Sequence, residues 1–340
     1  MSKRIQTVDC LSVLMMIFVI MGHCLFPEAP AWYKDGRTHV YAFHMSVFMC
    51  VSGFLVAYSC SKETGLRREC SRSLKKIVKF FSLILGVGGA VVALKLLTSG
   101  QLLSADAWFQ NVRLLVFYPM LSEAQFLWYI YLLCWVYFLY PIIRRLPDLC
   151  LIVVGVAAML CSFCFWNSWG FMGISQLIRY LPYIFLGVYV CRHLEWFQSI
   201  SNRRWMVASV PFAIYSLLYS FDSSLVFSEP WMWRFWMICL GVLALPFWLA
   251  VSRWILKYRW MDKSIEFLSR YLLYIYVLQM FVLHALYAVI KQVGFIHTMP
   301  YALFVLLSTI VVLVLVPLMV IVSQKIYNKI VLALNSKMTA

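Results

Sequence analysis

Long apolar runs separated by short polar segments dominate the chain. A membrane-spanning helix needs about 20 predominantly apolar residues. On this length, the pattern predicts ten spans, near residues 8–26, 41–60, 78–98, 125–143, 149–167, 178–192, 205–221, 231–251, 265–290 and 300–322. A shorter apolar piece at 113–121 is interpreted as a re-entrant or interfacial segment. The pattern therefore predicts an all-α polytopic membrane protein.

The basic residues indicate how the predicted spans are oriented. Cytoplasmic loops of membrane proteins carry an excess of Lys and Arg. With a cytoplasmic N-terminus, most of the cations fall in cytoplasmic loops, and the outer loops hold only Lys34, Arg37, Arg113 and Lys291. The sequence therefore predicts that both termini are cytoplasmic, which an even number of spans satisfies.

Composition supports this class and excludes others. Hydrophobic residues make up 64% and charged residues 12% of the chain, against about 25% charged residues in soluble domains. The net charge of +16 would suit nucleic acid, but the cations lie in short loops, so no nucleic-acid partner is expected. The 11 cysteines show no metal-ligand spacing, and no metal site is predicted. Residues 1–340 are expected to form a single integral-membrane domain without a separate soluble domain.

Two histidines inside predicted spans are candidates for chemistry. His23 lies near the outer end of the first span and His44 near the outer end of the second, so antiparallel spans place them at similar depth. Ionisable side chains at membrane depth are costly and usually functional, and imidazole is the natural general base near neutral pH. The alternatives are a His23 satisfied by a neighbouring helix, and a His44 that orients His23, binds an acceptor or reaches the interface.

The acid of the first span lies too far away to assist His23. Asp9 precedes His23 by fourteen positions, roughly 21 Å along an α-helix. We interpret Arg4 and Asp9 as structural residues, with Asp9 either favouring the helix start or pairing with a basic loop residue.

The densest group of cations lies between the second and third spans. Arg72, Lys75, Lys76 and Lys79 recur at helical spacing, and Arg68 precedes them. Such a basic face suits a polyphosphate. Ordinary cytoplasmic loading or contact with anionic lipid is the alternative.

Several polar and aromatic residues lie at the outer ends of spans. They are Glu123, Gln125, Trp128, Arg179 and Arg234. Sugar hydroxyls need such partners, and so does ordinary loop packing. We interpret the first four as a candidate substrate-binding group.

Five stretches of the sequence together form a recognisable pattern. They are Arg4-x4-Asp9 leading to Gly22-His23, Phe43-His44-Met45 leading into Ser52-Gly53-Phe54, Arg72 to Lys79, Phe126-Leu127-Trp128-Tyr129, and Leu181-Pro182-Tyr183 to Gly187. These stretches resemble the membrane acyltransferase-3 family, which includes sugar O-acetyltransferases such as fucose 4-O-acetylase-like proteins. Three positions depart from the pattern. Ser12 stands where many members have arginine, and Phe126 and Gln279 stand where histidines occur. These changes favour a divergent acceptor.

The resemblance implies transfer of an acyl group, usually acetyl from acetyl-CoA, to a carbohydrate hydroxyl. His23 would be the general base, and Arg68, Arg72, Lys75 and Lys76 would bind the CoA phosphates. The acceptor would be an O-antigen, an exopolysaccharide or a glycolipid, and the protein would lie in the inner membrane of a bacterium. Direct attack and an acyl-histidine relay both remain open. The main alternative function is a transporter or flippase for a lipid-linked sugar.

Overall fold

The computed structural model describes residues 5–60, 65–164, 170–221, 230–294 and 299–338. Within these ranges the chain is helical and contains no β-strand. The helices are α1 Gln6–His23, α2 Ala31–Cys60, α3 Leu66–Leu83, α4 Gly89–Thr98, α5 Ala105–Phe117, α6 Trp128–Ile143, α7 Asp148–Cys164, α8 Ile174–Arg192, α9 Leu194–Ser199, α10 Asn202–Phe221, α11 Pro230–Ile255, α12 Arg259–Ser269, α13 Leu272–Gln292 and α14 Tyr301–Met338. A π-helical segment, Ile84–Gly88, joins α3 to α4.

The predicted fold class is confirmed: this is an all-α polytopic membrane protein. In the described ranges, eight helical segments are long and apolar enough to cross a membrane. They are Gln6–His23, Ala31–Cys60, Leu66–Thr98, Gln125–Ile143, Phe171–Arg192, Trp233–Ile255, Leu272–Gln292 and Tyr301–Lys329. The predicted spans at 149–167 and 205–221 correspond to α7, whose apolar part is shorter, and to α10. The count of ten, the orientation and the single domain stay predictions.

One face of α7 is apolar and exposed, as expected for a helix that contacts lipid. Leu149, Val153, Val156 and Leu160 are exposed and lie on one face at helical spacing. Aliphatic side chains on an outer face suit a hydrocarbon environment, because lipid tails are as apolar as they are.

The second span was predicted to begin near residue 41, and this is wrong for the helix as a whole, which begins at Ala31. The backbone carbonyl of Pro30 accepts hydrogen bonds from the N–H groups of Tyr33 (3.1 Å) and Lys34 (3.2 Å), so α2 begins at Ala31 and not near residue 41. The apolar pattern misses this first part because its residues are mainly polar, although no proline interrupts them. The helix therefore carries Arg37 and Tyr41 in register with His44.

Two other predicted segments also differ. The span predicted at 265–290 is interrupted near Arg270, so the polar helix α12 precedes the apolar α13. The piece at 113–121 contains the end of α5, which is followed by a 3-10 turn at Pro119–Leu121. Apolar content alone does not reveal either break, because only Ser269 and Arg270 mark the first and only Pro119 marks the second.

Contacts divide the described chain into two compact units. The first unit is formed by Met45–Ala250, and the second by Arg4–His44 together with Val251–Ala340. In the first unit, glycines allow α2 and α8 to touch through their backbones. A Cβ atom on Gly53 would lie 2.2 Å from the Ile184 carbonyl oxygen, and one on Gly187 would lie 1.9 Å from the Cys50 oxygen. Small residues at such contacts are typical of membrane helices.

A buried carboxylate joins α3 to α6 in the first unit. Glu69 is 4% exposed and accepts hydrogen bonds from Arg144 Nη1 at 2.7 Å and from Arg145 Nη1 at 2.9 Å. Arg144 also donates to the carbonyl oxygen of Cys60, at the end of α2. This arrangement, the Glu69 bridge, fixes the face that α3 turns toward its neighbours.

In the second unit, the first half of α1 packs against α12. Cys10 and Val13 form a buried cluster with Ile265. Beyond this cluster α1 continues along α13 and α14, and its last residue is His23.

Candidate active site

His23 is the last residue of α1. The side chain is half-buried, and its ring makes no hydrogen bond with any residue that the structure describes. The helix ends here because Cys24 leaves the helical conformation while its N–H still bonds the Met21 carbonyl. Both ring nitrogens on this turn are therefore unbonded to the described part of the chain.

The turn that carries His23 is held by side chains from other segments. Tyr33 donates its hydroxyl hydrogen to the Met21 carbonyl oxygen, and Tyr301 donates to that of Cys24. Arg37 Nε donates to the Gly22 carbonyl oxygen at 2.7 Å. The last carbonyls of a helix have no partner within the helix, so these three donors satisfy them. We call this arrangement the carbonyl clamp.

A column of three side chains on α2 connects the clamp to His44. Arg37, Tyr41 and His44 follow at spacings of four and three residues, which places them on one face of the helix. The Arg37 Cζ atom lies 4.1 Å from the centre of the Tyr41 ring. The rings of Tyr41 and His44 meet edge to face with centroids 4.8 Å apart.

Close packing between α1 and α2 depends on Gly22. A Cβ atom at this position would lie 2.5 Å from Cε2 of Tyr41, which is shorter than any normal contact. The Tyr41 hydroxyl also approaches the Gly22 carbonyl oxygen, at 3.4 Å. The glycine of the Gly22-His23 pair therefore admits the Tyr41 ring beside the candidate base.

The structure brings the two predicted catalytic residues together. His44 is 2% exposed and interacts electrostatically with His23 and Arg37. Its Nδ1 lies 2.7 Å from the Val40 carbonyl oxygen, and because a carbonyl can only accept, Nδ1 is the donor. The burial of His44 argues against the alternative of a side chain that reaches the interface.

Sequence reasoning missed several neighbours of His23. His284 of α13 interacts with it electrostatically, and Phe26 stacks on Tyr287 with ring centroids 4.1 Å apart. The Tyr287 hydroxyl lies 2.9 Å from each carboxylate oxygen of Glu28. Only His284 carried a signal, as an ionisable residue within an apolar run. Tyr33, Arg37 and Tyr301 lay in or beside polar loops.

Of the two residues at the start of α1 that we interpret as structural, the structure describes Asp9. Asp9 lies in the first turn of α1, where a carboxylate favours the positive end of the helix dipole. Arg4 lies outside the described residues. No group of three or more His, Cys, Asp or Glu side chains in the described ranges could hold a metal ion.

The cations of the predicted basic face of α3 differ in burial. Arg72 and Lys76 are half-buried on the side of Glu69 and interact electrostatically, and Lys76 also interacts with Cys60. Arg68 and Lys75 are exposed. Arg72, Lys75, Lys76 and Lys79 lie on α3 at the predicted helical spacing, and within this set Arg72 and Lys76 are the more buried.

The outer polar residues divide in a similar way. The Trp128 ring stacks on Tyr180 with centroids 5.5 Å apart, and Tyr180 forms a hydrogen bond with Arg179. Arg179 also interacts electrostatically with Arg234. In contrast, the Glu123 carboxylate bonds to Lys95 at 2.6 Å, and Gln125 is exposed. Trp128 and Arg179 thus share one cluster, which we call the Trp128 platform.

All three departures from the family pattern are buried. Ser12 donates its hydroxyl hydrogen to the Val8 carbonyl oxygen at 2.8 Å, and Phe126 packs in the first unit. Gln279 is 0% exposed, and its amide makes no hydrogen bond with any residue that the structure describes. Buried amides normally have partners. Gln279 is therefore the departure that leaves a buried amide unpaired within the described residues.

Comparison with known proteins places the chain in a family. The acyltransferase-3 family model, described as an acyltransferase domain, matches residues 5–321. Searches of the curated proteins and of the solved structures each found no match. The matched range holds both histidines, the carbonyl clamp and the Trp128 platform. The chain therefore belongs to the acyltransferase-3 family, and its general chemistry is acyl transfer.

Proposed function

We propose that this protein transfers an acetyl group from acetyl-CoA to a hydroxyl of a carbohydrate or glycolipid acceptor, with His23 as the general base. The acceptor class is a cell-surface or exported glycan, such as an O-antigen, an exopolysaccharide or a glycolipid. The protein would act in the inner membrane of a bacterium, where the donor is cytoplasmic.

One observation carries the proposal. The half-buried imidazole of His23 makes no hydrogen bond to a described residue, yet the carbonyl clamp fixes the turn that bears it. A histidine used only for packing would be expected to bond to a neighbour, because unpaired polar groups in an apolar bundle are costly. A base needs the opposite combination, which is a fixed position and a nitrogen free for the substrate.

The chemistry follows from that nitrogen. The acceptor hydroxyl oxygen attacks the thioester carbonyl carbon while His23 takes the hydroxyl proton. The tetrahedral intermediate then collapses, the C–S bond breaks, and the CoA thiolate leaves and receives the proton from His23. His44 supports this step by its interactions with His23 and Tyr41.

The donor phosphates are proposed to bind the inward-facing cations of α3. Arg72 and Lys76 are half-buried and face the end of α2, whereas Arg68 and Lys75 are exposed. Partial burial strengthens a charge–phosphate contact, since water screens it less. Arg72→Gln is therefore expected to raise the KM for acetyl-CoA more than Arg68→Gln does, as measured by thiol release.

The acceptor is proposed to use the Trp128 platform. An aromatic ring beside a guanidinium offers an apolar face for a sugar ring and donors for its hydroxyls. Glu123 and Gln125 would contribute less, because Glu123 bonds to Lys95 and Gln125 faces outward. The three departures from the family pattern leave the acceptor's identity open to a divergent glycan.

The decisive test measures thiol release from acetyl-CoA by the purified protein in detergent. It is run with and without a glycan fraction from the host, on the wild type, His23→Ala and the control His193→Ala. His193 is a matched control because it bonds Asp148 in the first unit. Glycan-dependent release should fall about 10²- to 10⁴-fold in His23→Ala, the usual effect of losing a general base, and stay near wild type in His193→Ala.

Two outcomes would contradict the proposal. Equal release by the wild type and His23→Ala would remove His23 from the chemistry. A wild type that binds the glycan but releases no thiol from any acyl-CoA would instead favour the transporter or flippase function.

A further inference from the structure

We propose, on the basis of the acyl transfer described above, that Arg37 is a second catalytic residue. Its terminal Nη groups would bind the carbonyl oxygen of the thioester and stabilise the negative charge that forms there. The inference rests on the contacts that hold the guanidinium and on the N–H donors that these contacts leave unused.

The guanidinium of Arg37 is held on two sides. Its Nε donates to the Gly22 carbonyl oxygen at 2.7 Å, and its plane lies over Tyr41 with Cζ 4.1 Å from the ring centre. The Tyr41 hydroxyl also accepts a hydrogen bond from this guanidinium. A guanidinium has five N–H donors, so the bonds to Gly22 and Tyr41 leave others on the Nη groups for a substrate oxygen.

The position of this cation relative to the base is the second observation. Arg37 bonds to the residue that precedes His23, and its charge acts electrostatically on both His23 and His44. Among the described residues that act electrostatically on these two imidazoles, Arg37 is the permanently charged one. Transfer from a thioester requires such a pair, with a base for the nucleophile and donors for the developing oxyanion.

Arg37 would act at one defined point of the reaction. When the acceptor oxygen bonds to the carbonyl carbon, the C=O π electrons move to the carbonyl oxygen, and the Nη groups bind this anion. When the C–S bond breaks, the electron pair returns to re-form the C=O bond and the thiolate leaves. The guanidinium stays protonated throughout, so the only proton moved is the one that His23 takes and returns.

The test uses a substitution that preserves the clamp. In Arg37→Gln, the amide Nε2 lies the same number of bonds from the backbone as Arg Nε, so it can still donate to Gly22, but the charge and the Nη groups are gone. Thiol release in the presence of acceptor should show kcat reduced about 10²- to 10³-fold, as for removal of an oxyanion donor. The KM for acetyl-CoA should stay within about two-fold, since the contact forms only during transfer.

Two further variants complete the experiment. Lys34→Gln removes an exposed cation one turn earlier on α2 and should leave kcat unchanged. Arg37→Lys keeps a charge but replaces the planar, forked guanidinium with a compact ammonium, so kcat should fall about ten-fold. Thermal unfolding of each variant shows whether it folds. If Arg37→Gln does not fold, the kcat of Arg37→Lys tests the inference instead.

The outcomes separate this inference from the proposed function. An active wild type with near-normal kcat in folded Arg37→Gln would show that Arg37 only positions the turn, and would overturn the inference alone. A rise in KM without loss of kcat would also overturn it. A wild type that transfers no acyl group would overturn both.

Discussion

Arginines at two places in this molecule meet oxygen atoms in opposite ways. At the Glu69 bridge, the side chains of Arg144 and Arg145 share one buried carboxylate, so their charge is largely neutralised. At the carbonyl clamp, Arg37 bonds to a neutral backbone carbonyl and lies over an aromatic ring. The first arrangement uses charge to join two helices. The second keeps a full positive charge beside an imidazole.

The difference indicates which site is structural and which is chemical. A buried ion pair mainly fixes geometry, and loss of one partner leaves the other charge uncompensated. Arg37 forms no ion pair with any residue that the structure describes and lies near the two imidazoles, which fits the catalytic role proposed for it. Substitutions at the Glu69 bridge should therefore change stability, and substitution of Arg37 should change catalysis.

The largest expected effect on stability is that of Glu69→Gln. Two arginines would lose their carboxylate, and the free energy of unfolding should fall by about 2–3 kcal/mol, which is below the full value for a buried pair because Arg145 is 46% exposed. Thermal unfolding in detergent measures the change. The control is Glu266→Gln, which breaks the exposed pair with Arg270 and should cost less than about 0.5 kcal/mol. Equal stability of the two variants would break the comparison.

A smaller effect on stability is expected for Gly22→Ala. The new methyl group would meet the Tyr41 ring at 2.5 Å and force it to move, which should cost about 1–3 kcal/mol, as for overpacking elsewhere. Because Tyr41 contacts both Arg37 and His44, kcat should also fall. Gly36→Ala is the matched control, since a Cβ atom there meets nothing within 4 Å. Normal turnover by Gly22→Ala would detach Tyr41 from the chemistry.

The smallest expected effect is that of Tyr33→Phe. This change removes the hydroxyl that bonds the Met21 carbonyl and leaves the ring in place, so the free energy of unfolding should fall by about 1 kcal/mol. Transfer should decrease only slightly, because Arg37 and Tyr301 still hold the turn. A loss of activity as large as that of Arg37→Gln would mean that the clamp, and not the charge, controls the reaction.

The sequence predicted the fold class and the candidate histidines for physical reasons. Apolar length defines membrane helices, and opposite directions of two successive helices place His23 and His44 at one level. The role of Arg37 was not visible, because counting cations treats it as a loop residue. Its register with His44 depends on where α2 begins, which a hydrogen-bonded Pro30 carbonyl decides.

Which face of a helix packs inward was also beyond the sequence. The spacing of the cations on α3 predicts one basic surface, but it does not tell which of them are partly buried, as Arg72 and Lys76 are. Tyr301 lies far along the chain from Cys24, so only tertiary packing brings the two together. The Trp128 platform similarly depends on α8 placing Tyr180 beside the start of α6.

The first turns of α2 have different freedom to vary on their two sides. Tyr33, Arg37 and Tyr41 hold α1, whereas Trp32 is exposed, as are residues 34–36 and 38. During divergence, mutations on the outward side would change the exposed surface without loosening the turn that bears His23. Related chains with different acceptors should therefore differ mainly at the outward positions and keep the inward ones.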